Sequence, residues 1–122
     1  MELLEKDLTE KIIAACFEVS NELGAGFLES VYEKALLIAL TDKGLKAETQ
    51  VPLKVVFRNR VVGDFYADTL VENLVIIELK AVKSIGTDHE AQLINYLKAT
   101  NKRVGLLVNF GKPKLEWKRF VY

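Results

Sequence analysis

Three ionisable residues stand where a purely structural strand would avoid them. Asp68 lies in Phe65-Tyr66-Ala67-Asp68-Thr69-Leu70-Val71, and Glu78 and Lys80 lie in Val75-Ile76-Ile77-Glu78-Leu79-Lys80-Ala81. Glu78 and Lys80 are two apart, so in a strand they share a face. The apolar run before them predicts that this face is at least half buried. A buried carboxylate is costly unless it is paired or metal-bound. Mg²⁺ takes oxygen ligands and keeps several waters, so two carboxylates suffice to hold it. Such an ion polarises a phosphate and lowers the pKa of a bound water. A nearby lysine can orient the attacking water and steady developing charge. A cross-strand salt bridge of Lys80 with Asp68 or Glu78 accounts for the same three residues, and spacing alone leaves both readings open.

The elements that must position these residues can be read from periodicity. A helix is expected over 7–23, with Asp7 and Glu10 at capping-box spacing and Gly24 and Gly26 ending it. A second is expected over 28–42, apolar almost all round in its middle and stopped by Gly44. Val51, Leu53, Val55 and Phe57 alternate as a strand does, Arg58-Asn59-Arg60 turns the chain, and 61–71 and 74–82 read as two more strands. The continuous apolar run Leu74-Val75-Ile76-Ile77 suits a central strand covered on both faces. A helix over 88–100, a strand over 103–110, a turn at Gly111-Lys112-Pro113 and an edge strand over 115–121 complete the order α-α-β-β-β-α-β-β. That order predicts a mixed sheet with helices packed on it. A simple two-residue turn at Glu72-Asn73 would set Asp68 and Glu78 on opposite faces. Shared coordination therefore requires an odd-length loop, or a bulge near Asp68.

Composition narrows the classes. The 122 residues suit one domain, 1–122, with no internal repeat and no linker. Cys16, the only cysteine, sits in an apolar run and reads as a buried structural thiol. No disulfide can form within the chain, which fits a reducing compartment. With His89 as the only histidine, a multi-histidine metal site is excluded within one chain. No apolar run is long enough for a membrane span, and the charged start, Met1-Glu2-Leu3-Leu4-Glu5-Lys6-Asp7, lacks a signal-peptide pattern, so the expected location is the cytoplasm with no membrane partner. Net charge is zero, which argues against non-specific coating of nucleic acid. The last third is nevertheless basic: Lys98, Lys102, Arg103, Lys112, Lys114, Lys118 and Arg119 stand there against Glu116, and could meet phosphates or simply form a solvated face.

Gly26-Phe27-Leu28-Glu29-Ser30-Val31-Tyr32 reproduces the signature of the GxxExxY protein family, which is grouped with the PD-(D/E)xK nuclease-like superfamily. The resemblance covers almost the whole chain. It continues through Ala67-Asp68, Glu78-Leu79-Lys80-Ala81-Val82, His89-Glu90-Ala91-Gln92-Leu93-Ile94-Asn95-Tyr96-Leu97 and Gly105-Leu106-Leu107-Val108-Asn109-Phe110-Gly111. It implies a restriction-endonuclease-like α/β fold. It also implies Asp68 and Glu78 as metal ligands, with the Leu79 carbonyl as an optional third, and Lys80 as the catalytic lysine. Glu29 would complete the acidic cluster directly or through water, and Gln92 would lie beside the site. Tyr66 stands where the family often has arginine, so one phosphate contact would be lost.

Several of these residues also have bland explanations. Glu29 lies in a first helical turn, where a carboxylate is favourable anyway. Tyr32 is as well explained as a core residue with a bonded hydroxyl. His89, Gln92 and Tyr96 share a helix face, with His89 read first as a capping or supporting residue. Trp117 reads first as strand packing and second as a base-stacking residue.

The leading expectation is Mg²⁺- or Mn²⁺-dependent hydrolysis of nucleic-acid phosphodiesters by metal-activated water, with DNA ahead of RNA. The rivals are a non-catalytic module binding nucleic acid or protein on the same fold, and a hydrolase of small phosphate compounds. A Gly-rich phosphate loop is not found, because Gly24-Ala25-Gly26 follows a helix rather than a strand. A homodimer would widen the binding surface and pair two sites across two strands.

Overall fold

The structure, a computed structural model, describes residues 5–122; the first four residues of the charged N-terminal stretch lie outside it. Helix α1 (Lys6–Leu23) buries Ile12, Ala15, Cys16 and Val19, a single stripe at helical spacing. The Asp7–Glu10 capping box does not form. Glu5 occupies the cap in a left-handed conformation (φ 52) without a side-chain bond. Asp7 sits inside the first turn, where its carboxylate still favours the helix dipole. Burial pushes the Cys16 thiol up to about 12, so it stays protonated and inert. Helix α2 (Glu29–Asp42) buries Tyr32, Leu36, Ala39 and Leu40.

Strands β1 (Ala47–Phe57), β2 (Arg60–Val71), β3 (Val75–Lys80), β4 (Val104–Asn109) and β5 (Glu116–Val121), with helix α3 (Thr87–Thr100) between β3 and β4, complete the expected order. They form a five-stranded sheet ordered β1-β2-β3-β4-β5. Only the β3–β4 pair is parallel, as its crossover through α3 requires; the other pairs are antiparallel. Arg58 and Asn59 turn the β1–β2 hairpin with φ of 49 and 64, the positive-φ pair that matches strand twist.

Each sheet face has its own core. Helices α1 and α2 cover Val71, Val75, Ile77, Leu79, Leu106 and Val108. Helix α3 covers Leu70, Ile76 and Leu107 with its Leu93 and Leu97. Covered on both faces, β4 is buried along its whole length and β3 up to Leu79. Each fully buried leucine contributes roughly 2 kcal/mol of transfer free energy. Alternation in β3 then decides the site. Ile77 and Leu79 turn to the α1–α2 core, so Glu78 and Lys80 turn with Ile76 toward α3. Among the described residues, no helix is long and apolar enough to cross a membrane.

Candidate active site

The β2–β3 ladder pairs Val71 with Val75, Leu70 with Ile76 and Thr69 with Ile77, then stops. Its loop is Glu72-Asn73-Leu74, an odd number of residues, with Glu72 and Asn73 at φ 52 and 57. The loop therefore meets the condition for a shared face. The β1–β2 register shift lies far from Asp68, between Val55 and Val56. One step past the last pair, Asp68 stands opposite Glu78, and their carboxylates take over from the ladder. Asp68 N–H donates to Glu78 Oε1 (3.3 Å), and Leu79 N–H donates to Asp68 Oδ2 (2.7 Å). These bonds occupy one oxygen of each carboxylate. Glu78 is only 4% exposed. Burial first, and then the Asp68 charge, pushes its carboxyl from an ordinary 4.5 up to about 8, against the opposing pull of the Asp68 N–H and the Lys80 charge.

The lysine is held from α3. Lys80 Nζ donates to Gln92 Oε1 (3.3 Å), and Gln92 Nε2 donates to the Tyr96 hydroxyl (3.0 Å). Gln92 and Tyr96 lie one turn apart on one helix face, which is why a single helix can carry this relay. Burial and then the Glu78 charge push the Tyr96 hydroxyl up, against the opposing pull of its bond with Gln92. Among the described ion pairs, none joins Lys80 to Asp68 or Glu78. The simple cross-strand salt bridge is therefore not what this structure shows.

Glu29 does not join the pair directly. It is exposed in the first turn of α2, which packs on the other sheet face. Among the described residues, no three acidic, histidine or cysteine groups stand close enough to hold an ion together. One turn on, Glu33 accepts from Gln50 Nε2 at 3.1 and 3.3 Å. Gln50 falls between the pairs Thr49–Thr69 and Val51–Ala67, so the start of α2 reaches the β1 stretch facing Asp68.

Tyr32 is a brace rather than a member of the site. Its hydroxyl donates to Gly24 O (2.6 Å) and accepts from Phe27 N–H (3.2 Å), which closes the α1–α2 turn. Its ring stacks on Phe110 at 4.8 Å, and Phe110 N–H donates to Lys80 O (2.8 Å). The glycine-to-tyrosine signature is thus tied to the end of the strand that presents Lys80. His89 Nδ1 accepts from Gly86 N–H (3.1 Å) and caps α3. Trp117 shares a small surface cleft with Lys6, Thr9 and Ile13 of α1, and its pairing with Val108 puts it on the sheet face opposite Glu78. Part of the basic C-terminal third is neutralised locally, Lys118 by Glu90 (2.9 Å) and Lys112 by Glu116 (3.7 Å).

Nothing in the sequence pattern gives Asn109 a role, yet it is fully buried at the centre of a network. Its Oδ1 accepts from Val82 N–H (3.0 Å) and Gly111 N–H (2.9 Å), and its Nδ2 donates to Val82 O (2.9 Å) and Glu116 Oε1 (3.1 Å). Glu116 Oε1 also accepts from Ile85 N–H (3.1 Å). Together they clamp the loop that leaves Lys80. The only signal is an amide closing the apolar run Val104-Gly105-Leu106-Leu107-Val108, where a buried polar side chain needs partners.

Residues 6–120 match the family described as the PD-(D/E)XK nuclease superfamily. The fold is also that of the crystal structure of SSO0001, with a TM-score of 0.62 at 22% sequence identity over 96% of this chain. This chain spans 58% of that one. No curated protein matches the chain. The five-stranded mixed sheet flanked by helices is restriction-endonuclease-like, and the chain belongs to the PD-(D/E)XK nuclease superfamily.

Proposed function

We propose that this protein is a Mg²⁺- or Mn²⁺-dependent nuclease that hydrolyses phosphodiesters, in DNA ahead of RNA, at Asp68, Glu78 and Lys80. The observation that carries the reading is the end of the β2–β3 ladder, where the buried Glu78 and the half-buried Asp68 meet beside a lysine held from α3. The donor set fits a divalent ion: it is all oxygen, it is doubly acidic when ionised, and like charges held together out of water need a cation. Asp68 and Glu78 would hold the ion, with the Leu79 carbonyl as a further oxygen, and Glu29 would act through water from the start of α2. When bound, the ion supplies Lewis-acid polarisation of the phosphate and a lowered pKa for water.

The chain's own residues do the rest. Lys80 places a compact positive charge where negative charge grows on the phosphate oxygens. Gln92 keeps that ammonium on the α3 side of β3, and Tyr96 keeps Gln92 in place, so both are positioning residues. Leu79 N–H fixes the Asp68 carboxylate and spares it from searching rotamers during the reaction.

A cleavage panel tests this reading. Purified protein meets duplex, single-stranded, branched and RNA substrates with Mg²⁺ or Mn²⁺, beside Lys80→Ala. Cutting that needs the ion and falls at least ~10²-fold in Lys80→Ala is the expected result. Folded protein that binds nucleic acid but never cuts it would show a binding module instead. Metal-dependent hydrolysis of a nitrophenyl phosphate ester that mononucleotides inhibit, with no nucleic acid cut, would move the substrate to small phosphate compounds.

A further inference from the structure

Strands β1 and β2 run well past β3. Their pairing continues to Phe57–Arg60, while β2–β3 pairing ends at Thr69–Ile77. The free end forms an arm that leans over α3, and the space between arm and helix is a groove of about 850 Å³. That volume is in the range of ligand sites. The arm side of the groove is apolar and open to solvent: Val56 is 58% exposed, Val62 63% and Phe65 41%. An apolar patch left open in this way marks a binding surface.

The lining has a definite chemistry. Phe65 from the arm and Tyr96 from α3 bring their rings to 5.6 Å, tilted by 50°. Lys54 stands on the arm and Lys98 on the helix, with Asp88 as the acid among the lining residues. Gln92 and Asn95 add amide groups from α3. Gln92 and Tyr96 also belong to the network that holds Lys80, so the groove is continuous with the acidic pair.

We propose that this groove holds an unpaired nucleic-acid strand beside the acidic pair, with the exposed Phe65 ring, backed by the buried Tyr96, against its bases and Lys54 and Lys98 toward its phosphates. Aromatic faces in an apolar groove can stack only on bases that have left a duplex, because paired bases offer their edges and backbone alone. Cations at the rim answer the regular charge of the backbone. The proposal deepens the nuclease reading and rests on it for what happens at the scissile phosphate, but the grip itself needs no turnover.

The test is fluorescence anisotropy with a labelled oligothymidylate and a duplex of equal length, in EDTA so that nothing is cut. The single strand is expected to bind more tightly than the duplex. Phe65→Ala should weaken single-strand binding at least ~10-fold, Phe65→Leu should weaken it in the same sense while keeping apolar packing, and Phe65→Trp should restore it. Circular dichroism confirms that each variant is folded. Equal affinity for duplex, or unchanged single-strand affinity in a folded Phe65→Leu protein, would overturn the proposal. Phe65-dependent single-strand binding without cleavage in Mg²⁺ or Mn²⁺ supports the groove and sinks the nuclease reading. Duplex cleavage indifferent to Phe65 does the reverse.

Discussion

Glu78→Gln is expected to abolish metal-dependent cleavage, by at least ~10³-fold, while making the metal-free fold more stable at alkaline pH. Both effects come from the same burial. The Glu78 carboxyl has an ordinary value of 4.5 and is pushed up to about 8 in the folded protein, chiefly by burial and next by Asp68. Between those values the unfolded chain has released a proton that the folded chain still holds. Unfolding is therefore increasingly favoured as pH rises through that window, and this contribution to stability is largest below 4.5 and gone above about 8. Glutamine mimics the protonated form and can still accept the Asp68 N–H, so the variant should lose the slope. Thermal unfolding in EDTA between about pH 5 and about pH 9 reads the difference. The wild type should lose stability across the range relative to Glu78→Gln. Parallel curves would show that Glu78 ionises freely in the fold. A site that weakens the fold in order to hold an ion is the usual conflict between stability and activity.

Gly111→Ala is expected to be the most damaging single methyl group in the described fold. A Cβ there would collide with the Val82 backbone N and O and come within 2.6 Å of the Ala81 carbonyl carbon. These atoms cannot step aside, because Val82 is held on both sides by Asn109. Gly105→Ala is the informative contrast: its Cβ would meet the buried Leu93 side chain, Cδ1 at 2.8 Å and Cγ at 3.1 Å, and no backbone atom among its nearest neighbours. We expect Gly111→Ala to lower stability by about 3 kcal/mol or more, and Gly105→Ala by less than about 2 kcal/mol. Chemical denaturation of the two variants gives the ordering directly. Equal losses would mean that the Ala81–Val82 loop yields as easily as a leucine. Because this loop leaves Lys80, any Gly111→Ala protein that folds should also cleave more slowly.

Much of this fold is legible in the sequence because its two periods are clean. The α1 stripe and the unbroken apolar runs of β3 and β4 admit few other arrangements, and the even spacing of Glu78 and Lys80 puts them on one face of any strand that carries both. The loop length can be posed as a condition, because a one-residue change in a hairpin reverses every side chain. What resists are features set by contacts distant in sequence. Glu5 displaces Asp7 as the α1 cap, a choice within the uncertainty of any helix boundary. Tyr32 is a brace because Phe110, far along the chain, offers a ring to stack on. Asn109 is silent in the sequence because its four bonds go to Val82 in the loop after β3, Gly111 in the loop after β4 and Glu116 at the start of β5. The overhang of the β1–β2 arm, and with it the groove, depends on where β3 stops pairing, which the hydrophobic pattern of β2 does not reveal. The place of Glu29, outside direct reach of the pair, follows from the packing of α2 on the opposite sheet face.

The central claim is that Asp68 and Glu78 form a cation site and not merely a brace between parting strands. The measurement is thermal unfolding at about pH 8 with increasing Mg²⁺ or Mn²⁺, for wild type, Asp68→Asn and Glu78→Gln. An ion that binds only the folded state adds about 2.7 kcal/mol at about a hundredfold excess over Kd. A saturable gain of that order is expected for the wild type, and none for either variant. A wild type indifferent to both ions, or variants that gain as much, would contradict the claim.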